Sequence, residues 1–379
     1  MTGIETLNEQ QQSAFVRICD FVINGARGDV LILSAFAGSG KTYLLNKVVE
    51  YITMTTGKNI SLVAFTGRAA SLLPNGRTCH SLLYRAELDS DGNLVRWVQK
   101  TAAEIRDEAG SAIFVDEGSM LPKSMHEQLV GIGLPILYSG DIAQLPSIDK
   151  DNPNFSVMTD LDSEVITLSE NMRIDPDALG IFQITSHLRD NNSIPRKIGP
   201  GLKITTKGAV FKRDYHMEHQ FDVVICGMNK TRKRLNSIIR GARGYDDQTP
   251  QIGEKVICLN NDIIGGTRIN NGELFIVEVV FPGQHHSTYV IRGVNNGSRV
   301  TVSVPHYCWD EETIRYEDKN ASTHFTPFAF GYTISCHKSQ GGTFDSVLFV
   351  DEDVSFFLSQ QKYRYTGVSR AAKKLTIAL

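Results

Sequence analysis

The residues best suited to chemistry lie in one segment near the N-terminus, Ala35-Phe36-Ala37-Gly38-Ser39-Gly40-Lys41-Thr42. An apolar run precedes this segment and a helical pattern follows it, which predicts a small-residue loop between a strand and a helix. The N–H groups of such a loop and the positive end of the helix dipole form a cradle for phosphate. Lys41 is placed to reach the β- and γ-phosphates, and the Thr42 hydroxyl to bind magnesium. The segment therefore predicts an ATP site lined by Ala37, Gly38, Ser39 and Gly40.

Two adjacent carboxylates, Asp116 and Glu117, end the apolar run Ala112–Val115. From the carboxyl end of a strand, Asp116 can reach a magnesium ion held between phosphates. Glu117 can then orient or deprotonate the attacking water. Acidic residues often do no more than cap a strand, but the phosphate loop upstream favours the catalytic interpretation and predicts ATP hydrolysis.

Four further residues have both a functional and a structural interpretation. Gln144 follows the next apolar run and could sense the γ-phosphate, or it could belong to a plain turn. Gln11 could pair with the adenine edge, but its spacing from Asn8 also fits a helix capping box. Arg173 and Arg370 are candidate arginine fingers, because a guanidinium stays charged and binds phosphate oxygens bidentately. Single arginines are usually surface residues, so the position of these two among the other motifs has to distinguish the functional from the structural interpretation.

Several short polar stretches at the ends of predicted helices and strands could contact a nucleic-acid backbone. Each could also be an ordinary loop or helix cap. The basic run Lys230–Arg234 could equally be a solvated helix face. The net charge of −3 excludes a general electrostatic attraction to nucleic acid, so such a site would have to be a local groove. The stretches are Phe65–Ala70, Thr78–Ser81, Met228–Lys230 and Thr333–Gly341.

Apolar runs that alternate with helical patterns predict an α/β fold with parallel sheets. The pattern occurs twice, which predicts one domain over residues 1–160 and a second over 161–379. A β-hairpin insertion is expected at about 84–108, turning at Asp91-Gly92, and a small antiparallel β-barrel insertion at about 254–328. The predicted strands are Val30–Ser34, Ile60–Ala64, Ala112–Val115, Ile136–Ser139, Asp222–Cys226, Ser346–Val350 and Leu375–Leu379 in the sheets, and Lys255–Leu259, Leu274–Val280, Thr288–Arg292 and Arg299–Val304 in the barrel.

The bulk composition fits a soluble globular protein of two or three domains, with 379 residues of which 41% are hydrophobic. Six scattered cysteines without a C-x-x-C pair predict reduced thiols rather than a zinc site or a disulfide framework. No apolar run is long enough for a membrane span, and the N-terminus does not resemble a signal peptide. We therefore expect a cytoplasmic protein without a membrane partner.

Taken in order, the segments resemble the motifs of superfamily-one DNA helicases, within them the RecD-like branch and its Dda-like group. Gln11 falls on the adenine-reading motif and Asp116–Met120 on the Walker B motif. Nine motifs in order are far more specific than any one of them. The other matches are Ala37–Thr42 with Walker A, Phe65–Ala70 and Thr78–Ser81 with motifs Ia and Ib, Gly140–Pro146 with motif III, Leu168–Arg173 with motif IV, Ser335–Gly341 with motif V and Tyr365–Arg370 with motif VI.

The resemblance implies two RecA-like motor domains that close on ATP and magnesium, and 5′-to-3′ translocation on single-stranded DNA with unwinding of fork duplexes. It implies a monomer in a bacterial or phage-infected cell, working with replication or recombination proteins. Gln11 and Gln144 gain support as nucleotide contacts, Arg173 and Arg370 as arginine fingers, and Gly341 as part of the nucleotide site. The implied DNA contacts are Thr66, His80, Asn229, Lys230, Thr333 and His337.

The hairpin at 84–98 is the best candidate for the pin that blocks the second strand of a duplex. Trp97 is the large aromatic residue on its return strand, and it is either the wedge at the fork or a core residue that anchors the hairpin. The chain departs from the family at Ala35, in place of the first Walker glycine, and at Phe65, in place of a proline that contacts DNA. The segment His306–Phe330 is too short for the tower-like insertion of the Dda-like group, so a brace for the pin is either missing or differently made.

Two other functions remain open on the residues alone. One is an ATPase that remodels nucleoprotein or RNA without much unwinding, and the other is a nucleotide-gated DNA-binding module. The Asp116-Glu117 pair argues against the second, because a pure switch needs no carboxylate to activate water.

Overall fold

The computed structural model describes residues 6–70, 73–147, 149, 151–152, 155–170, 172, 176–195, 199–311 and 325–379. It divides into two units, the first of Met1–Ala86 with Trp97–Ile174 and the second of Glu87–Arg96 with Asp175–Leu379. The first unit thus extends about one strand and a loop further than the boundary expected at residue 160. The tip of the hairpin, expected in the first domain, belongs to the second unit.

The first unit is a parallel sheet with helices on both faces. Its six strands have the order β3-β2-β6-β7-β1-β8, and all pairs are parallel. A separate two-stranded hairpin, β4-β5, branches from it. The strands are β1 (Val30–Ala35), β2 (Ile60–Ala64), β3 (Arg77–Thr78), β4 (Tyr84–Leu88), β5 (Leu94–Gln99), β6 (Ala112–Asp116), β7 (Ile136–Gly140) and β8 (Glu164–Leu168), and the helices are α1 (Glu9–Asn24), α2 (Lys41–Thr56), α3 (Gly67–Ala70), α4 (Cys79–Leu83), α5 (Ala102–Ala109) and α6 (Lys123–Gly131).

Burial on both faces explains why the central strands are continuous apolar runs. Every residue of β6 and β7 is buried, and β1 is buried from its second residue onward, as expected for a parallel sheet covered by helices on both sides. Phe15 and Ile18 of α1 pack with Leu44 and Val48 of α2 in one core cluster, whereas the opposite face of the sheet packs against α4, α5 and α6. The sheet is therefore held rigidly, and so are the loops at its carboxyl edge.

The second unit contains a parallel sheet of five strands in the order β18-β10-β19-β20-β9. Helix α10 is strongly basic on its outer face and buries Leu235 and Ile239 on its inner face. The elements of this part are α7 (Leu179–Asp190), β9 (Leu202–Thr205), α8 (Lys207–Val210), α9 (Arg213–Glu218), β10 (Val223–Cys226), α10 (Asn229–Ala242), β18 (Thr333–Ser335), α12 (Cys336–Ser339), β19 (Phe344–Val350), α13 (Gln360–Val368) and β20 (Ala371–Ala378).

A small antiparallel β-domain is inserted between α10 and β18. Its five-stranded sheet has the order β16-β15-β14-β11-β17, beside the short pair β12-β13. Alternating burial along β15 and β16 directs every second side chain into its core. The strands are β11 (Lys255–Cys258), β12 (Asp262–Ile264), β13 (Thr267–Ile269), β14 (Leu274–Phe281), β15 (His286–Gly293), β16 (Arg299–Pro305) and β17 (Phe328–Phe330), with the helix α11 (Cys308–Glu311).

The architecture confirms the predicted α/β class and the hairpin, and it corrects the domain boundary. The second insertion is a five-stranded antiparallel sheet in the described residues, so its closure into a barrel stays a prediction. β8 pairs with β1, from Leu31 opposite Glu164 to Ala35 opposite Leu168. It therefore belongs to the first sheet, although the sequence analysis placed the division just before it. None of the described helices has the length and apolar character needed to span a membrane.

Candidate nucleotide and nucleic-acid sites

The loop between β1 and α2 has the backbone of a phosphate cradle. Gly38 and Gly40 have φ values of 84° and 76°, a left-handed conformation that residues with a Cβ rarely adopt. A Cβ at Gly40 would also lie 2.5 Å from Gln11 Nε2. Ala35, by contrast, still belongs to β1 and pairs with Leu168, so its methyl group lies in the strand, and the missing glycine does not alter the loop itself.

Lys41, the first residue of α2, carries the positive charge of this site. Its Nζ lies 2.6 Å from Asp116 Oδ1 and 3.8 Å from Glu117 Oε1. Burial alone would lower the pKa of Lys41, but the negative charges of Asp116 and Glu117 raise this pKa above its ordinary value. The ammonium group is therefore charged at physiological pH and suited to bind phosphate oxygens.

Asp116 is held in place by two hydrogen bonds to the same carboxylate oxygen. Ser139 Oγ and the backbone N–H of Glu117 donate to Asp116 Oδ1, each at 2.9 Å. Both residues are buried, Ser139 completely. The fixed carboxylate and the Thr42 hydroxyl are oxygen ligands of the kind that Mg²⁺ prefers.

Glu117 adopts a strained backbone conformation directly after β6. Its φ of 55° and ψ of 40° lie in the left-handed region, which costs a residue with a side chain about 1–3 kcal/mol and is concentrated at functional sites. Its carboxylate is buried, and Oε2 has no hydrogen-bond partner within the described part of the chain. One oxygen of this carboxylate is therefore available to a water molecule.

Buried polar atoms without partners mark the rest of the site. Such atoms are rare in folded proteins, where most buried polar groups are hydrogen-bonded. Within the described ranges, Ser39 Oγ on the phosphate loop, Ser119 Oγ after β6 and Gln144 Oε1 after β7 lack a partner. All three follow strands of one parallel sheet at its carboxyl edge, where α/β proteins bind ligands. These atoms fit a polyphosphate with its metal ion and water.

Gln11 has the structural role that its spacing from Asn8 predicts. Asn8 Oδ1 accepts from the N–H of Gln11 at 2.8 Å, and Gln11 Oε1 accepts from the N–H of Asn8 at 3.1 Å, which completes a capping box. Gln11 Nε2 also donates to Ser39 O at 3.0 Å. Gln11 thus connects the start of α1 with the phosphate loop, and its contact with an adenine edge stays a prediction.

The two candidate arginine fingers differ in what the structure describes. Arg173 lies outside the described residues. Arg370 follows α13 in the second unit and is buried. Its guanidinium donates to Thr366 O at 3.1 Å, to Gly342 O at 3.3 Å and to Ser369 Oγ at 3.0 Å. All three acceptors are neutral, so these contacts orient the guanidinium without neutralising its charge.

The predicted DNA contacts of the first unit are Thr66 and His80, and His80 lies beside the base of the hairpin. Thr66 Oγ1 accepts from the N–H of Ala69 at 3.2 Å and caps α3. The His80 ring stacks on Tyr84 with a centroid distance of 4.5 Å, and Trp97 meets His80 edge-on at 4.6 Å. Trp97 is therefore part of an aromatic cluster at the base of the hairpin. This packing favours the anchor interpretation over the wedge interpretation.

In the second unit, the predicted DNA contacts differ widely in exposure. Asn229 and Lys230 are exposed at the start of α10. His337 is partly buried, and burial lowers its pKa to about 4, so its imidazole is neutral at physiological pH. Thr333 is completely buried at the start of β18. This burial argues against a direct DNA contact by Thr333, whereas Asn229, Lys230 and His337 stay predictions.

The basic run on α10 is largely structural. Arg232 is buried, Lys233 donates to Asp310 O, and Arg234 lies over the Phe211 ring at 4.4 Å. Lys230 is exposed in the first turn of the helix, and Lys233 and Arg234 are exposed although their side chains have these partners. The run is thus a weaker signal of nucleic-acid binding than its composition indicates.

Within the second unit, the tip of the hairpin contacts the turn between β12 and β13. Gly266 N donates to Gly92 O at 3.1 Å, and Gly265 N donates to Asn93 Oδ1 at 3.3 Å. A Cβ at Gly92 would lie 3.1 Å from Gly266 N, so close packing needs glycine at this turn. The hairpin tip is therefore supported by a two-glycine turn, and the role of the hairpin as a pin stays a prediction.

Sequence analysis missed two buried serines of the nucleotide site. Ser139 fixes Asp116, and Ser119, two residues after Glu117, has a hydroxyl without a hydrogen-bond partner in the described part of the chain. A serine that interrupts a wholly apolar strand, as Ser139 does in β7, is the signal that could have identified it.

Comparisons with known proteins agree with this geometry. Residues 6–177 match the family model of the PIF1-like helicases, and residues 330–378 match that of the UvrD-like helicase C-terminal domain. The first match contains the phosphate loop and both carboxylates, and the second contains Arg370.

The relatives are distant in sequence. An uncharacterised protein of Invertebrate iridescent virus 6, 030L, is 27% identical over 197 residues, covering 44% of this chain and 36% of its own length. The ATP-dependent DNA helicase Pif1 of Psychrobacter is 24% identical over 305 residues, covering 67% of this chain and 45% of its own length. The chain thus spans less than half of the length of these two relatives.

Solved structures show the same fold over nearly the whole chain. A Pif1 helicase from Bacteroides, in complex with ADP-AlF3 and single-stranded DNA, superposes with a TM-score of 0.62 at 18% identity and covers 98% of this chain and 92% of its own. The chain therefore has the fold of these helicases, with two RecA-like domains. These matches are not specific to the RecD-like branch or its Dda-like group.

Proposed function

We propose that this protein is an ATP-dependent DNA helicase that translocates on single-stranded DNA and unwinds duplex DNA at forks. One observation carries the proposal: Lys41, Asp116 and the strained Glu117 meet at the phosphate loop, among buried polar atoms that have no partner in the described residues. The likeness to PIF1-like helicases supports DNA as the polymer on which this ATP site acts. A 5′-to-3′ polarity and a place in the RecD-like branch rest on the order of the sequence motifs.

Each residue of the site has a defined part in hydrolysis. The Gly38–Thr42 loop binds the phosphates, and Lys41 balances the negative charge that develops on the γ-phosphoryl group. Thr42 and Asp116 would hold a magnesium ion, which polarises the phosphate oxygens when it is bound. Glu117 accepts a proton from the attacking water through its free oxygen, and Gln144 is placed to sense the γ-phosphate.

The arginines complete the proposed reaction. Arg370, and Arg173 by its place in the motif order, would stabilise the transition state as arginine fingers, because a bidentate guanidinium matches the charge spread over the phosphate oxygens. We further propose a cytoplasmic protein acting as a monomer beside replication or recombination proteins. The six cysteines, all of them free and buried thiols, are compatible with that setting.

The proposal is tested by ATP hydrolysis and strand displacement with purified protein. We expect ATPase activity that single-stranded DNA stimulates, and unwinding of a duplex with a 5′ overhang in preference to one with a 3′ overhang. Lys41→Ala should abolish turnover, and Glu117→Gln should retain ATP binding but lose hydrolysis. Lys47→Ala is the matched control, because Lys47 lies on the same helix but pairs with Glu50 at the surface.

The competing functions give different results in the same assays. A nucleoprotein or RNA remodeller would hydrolyse ATP without displacing a DNA strand, or would prefer RNA. A nucleotide-gated DNA-binding module would bind DNA but release no phosphate when DNA is added. Either result with the wild-type protein would refute the helicase proposal.

A further inference from the structure

The second unit repeats two sequence features of the ATP site of the first unit. Phe114-Val115-Asp116-Glu117 ends β6, and the same four residue types, Phe349-Val350-Asp351-Glu352, end β19. Each sheet also has a strand followed by a Lys-Thr pair in the first turn of a long helix, Lys41-Thr42 in α2 and Lys230-Thr231 in α10. Five residues separate β1 from α2, but only two separate β10 from α10. The connection in the second unit is therefore too short for a phosphate loop.

Glu352 fills the anion position at the N-terminus of α10. Its Oε2 accepts hydrogen bonds from the N–H of Gly227 at 2.7 Å and from the N–H of Met228 at 3.0 Å. Its Oε1 accepts from the Thr231 hydroxyl. These donors are the backbone N–H groups and the hydroxyl that a phosphate would use in a working cradle. The buried carboxylate thus takes the place of a bound phosphate.

The loop that carries Glu352 is itself fixed by α13. Gln360 Nε2 donates to Glu352 O at 2.8 Å, and Arg364 forms two hydrogen bonds of 2.8 Å with Asp351. Because these contacts hold the loop that carries Glu352, its carboxylate has a fixed position. The carboxylate can therefore fix the turn at Gly227-Met228.

We propose that Glu352 is a positioning residue for nucleic-acid binding. By saturating the donors of the Gly227–Thr231 turn, its carboxylate fixes the start of α10. There Asn229, whose Oδ1 accepts from Arg232 Nε at 3.3 Å, and Lys230 are kept exposed for contact with a phosphate backbone. The equivalent lysine of the first unit, Lys41, instead turns inward to Asp116. This inference rests on the proposed function, because it assigns the DNA-binding role of Asn229 and Lys230 to a conformation that Glu352 maintains.

The test compares Glu352→Gln with Asp353→Asn. Both changes remove one negative charge from adjacent positions, but Asp353 is exposed and contacts Ser355 rather than α10. Hydrogen exchange should show at least a tenfold loss of protection at Gly227 and Met228 in Glu352→Gln, and no change in Asp353→Asn. This measurement does not involve DNA, so it tests the support of the turn by itself.

Binding of a fluorescent single-stranded oligonucleotide tests the functional part. Glu352→Gln should weaken the affinity about tenfold and reduce the slope of log K against log salt by about one phosphate contact. In the ATPase assay, the DNA concentration for half-maximal stimulation should rise, while the rate at saturating DNA and the KM for ATP stay unchanged. A merely structural role would lower the rate and the affinity together.

A double-mutant cycle with Lys230→Ala identifies the mechanism. If Glu352 acts through Lys230, adding Lys230→Ala to Glu352→Gln should cost much less affinity than Lys230→Ala costs alone. Formate should partly restore DNA binding to Glu352→Gly, because it can enter the vacated anion position, and chloride at equal ionic strength should not.

Two results would overturn the proposal. One is wild-type DNA affinity in Glu352→Gln, whether or not exchange protection is lost. The other is full additivity of Glu352→Gln and Lys230→Ala. If the wild-type protein itself binds no single-stranded DNA, the helicase proposal fails and this inference fails with it. If the wild-type protein binds single-stranded DNA and Glu352→Gln binds it with the same affinity, the positioning role is wrong and the helicase proposal is unaffected.

Discussion

Replacement of Trp97 by alanine separates the two interpretations of the hairpin. The Trp97 ring meets His80 edge-on at 4.6 Å, and His80 stacks on Tyr84 at 4.5 Å. A buried tryptophan costs roughly 3–5 kcal/mol when truncated to alanine, and Trp97 is only partly buried. We therefore expect a loss of about 1.5–3 kcal/mol, which includes about 0.5–1.5 kcal/mol from the aromatic pair.

This loss is large enough to measure by thermal unfolding. For a unit of this size, about 2–4 °C of melting temperature is lost per kcal/mol, so Trp97→Ala should lower the transition of the first unit by about 3–12 °C. Trp97→Phe should retain most of the stability, because a phenyl ring can keep the edge-on contact with His80. Val95→Ala is the matched control, since Val95 lies on the same strand but is exposed.

The assay must record unwinding and ATPase activity beside the melting temperature. The anchor interpretation predicts that Trp97→Ala lowers stability and reduces both activities together. A variant with the wild-type melting temperature and normal DNA-stimulated ATPase activity, but without unwinding, would refute this reasoning and restore Trp97 as the wedge.

Three further predictions follow from the described side chains. Arg370→Ala should lower ATP turnover by roughly 10³-fold, because a finger stabilises charge in the transition state; turnover near the wild-type rate would remove Arg370 from this role. His337→Ala and Asn229→Ala should each weaken binding of single-stranded DNA, and unchanged affinity in both, measured by anisotropy, would contradict the predicted groove. Burial lowers the pKa values of His126, His216 and His337, the last to about 4. The unfolded chain therefore binds more protons below about pH 6.5, so the free energy of unfolding, measured with urea, should be fully retained above that pH and fall from pH 6.5 toward pH 4; a value that stays constant over this range would contradict the burial of these imidazoles.

The central strands could be predicted from the sequence because their burial leaves a strong signal. β2 has the predicted bounds, Ile60–Ala64, and β6 is longer than predicted by one residue, Asp116. Both are apolar runs buried by helices on two faces. β8 gives a weaker signal, because it is an edge strand whose residues from Glu164 to Thr167 are mostly exposed. The acidic stretch Asp160–Glu164 at its start resembles a linker, which is why the predicted domain boundary preceded β8.

The position of a polar residue within a motif does not reveal whether its side chain reaches the surface. Thr333 and Asn229 both lie at element ends, yet Thr333 is completely buried and Asn229 is exposed. The difference arises from packing: Thr333 begins β18, which pairs with β10 beneath α10, and its N–H donates to Asn236 Oδ1 of that helix at 2.8 Å. Sequence spacing contains no information about this long-range contact.

The two Phe-Val-Asp-Glu segments show how packing decides the chemistry of identical residues. Asp116 lies beside the ammonium of Lys41, whereas Asp351 is occupied by the two-pronged contact with Arg364. The first segment leaves one oxygen of its glutamate without a partner in the described chain, so that carboxylate can accept a proton from water. The glutamate of the second segment receives three hydrogen bonds and has little capacity for another ligand. The first carboxylate is therefore suited to catalysis and the second to holding a turn. A phosphate group could bind at that turn only if the N–H groups of Gly227 and Met228 and the Thr231 hydroxyl first lost their hydrogen bonds to Glu352.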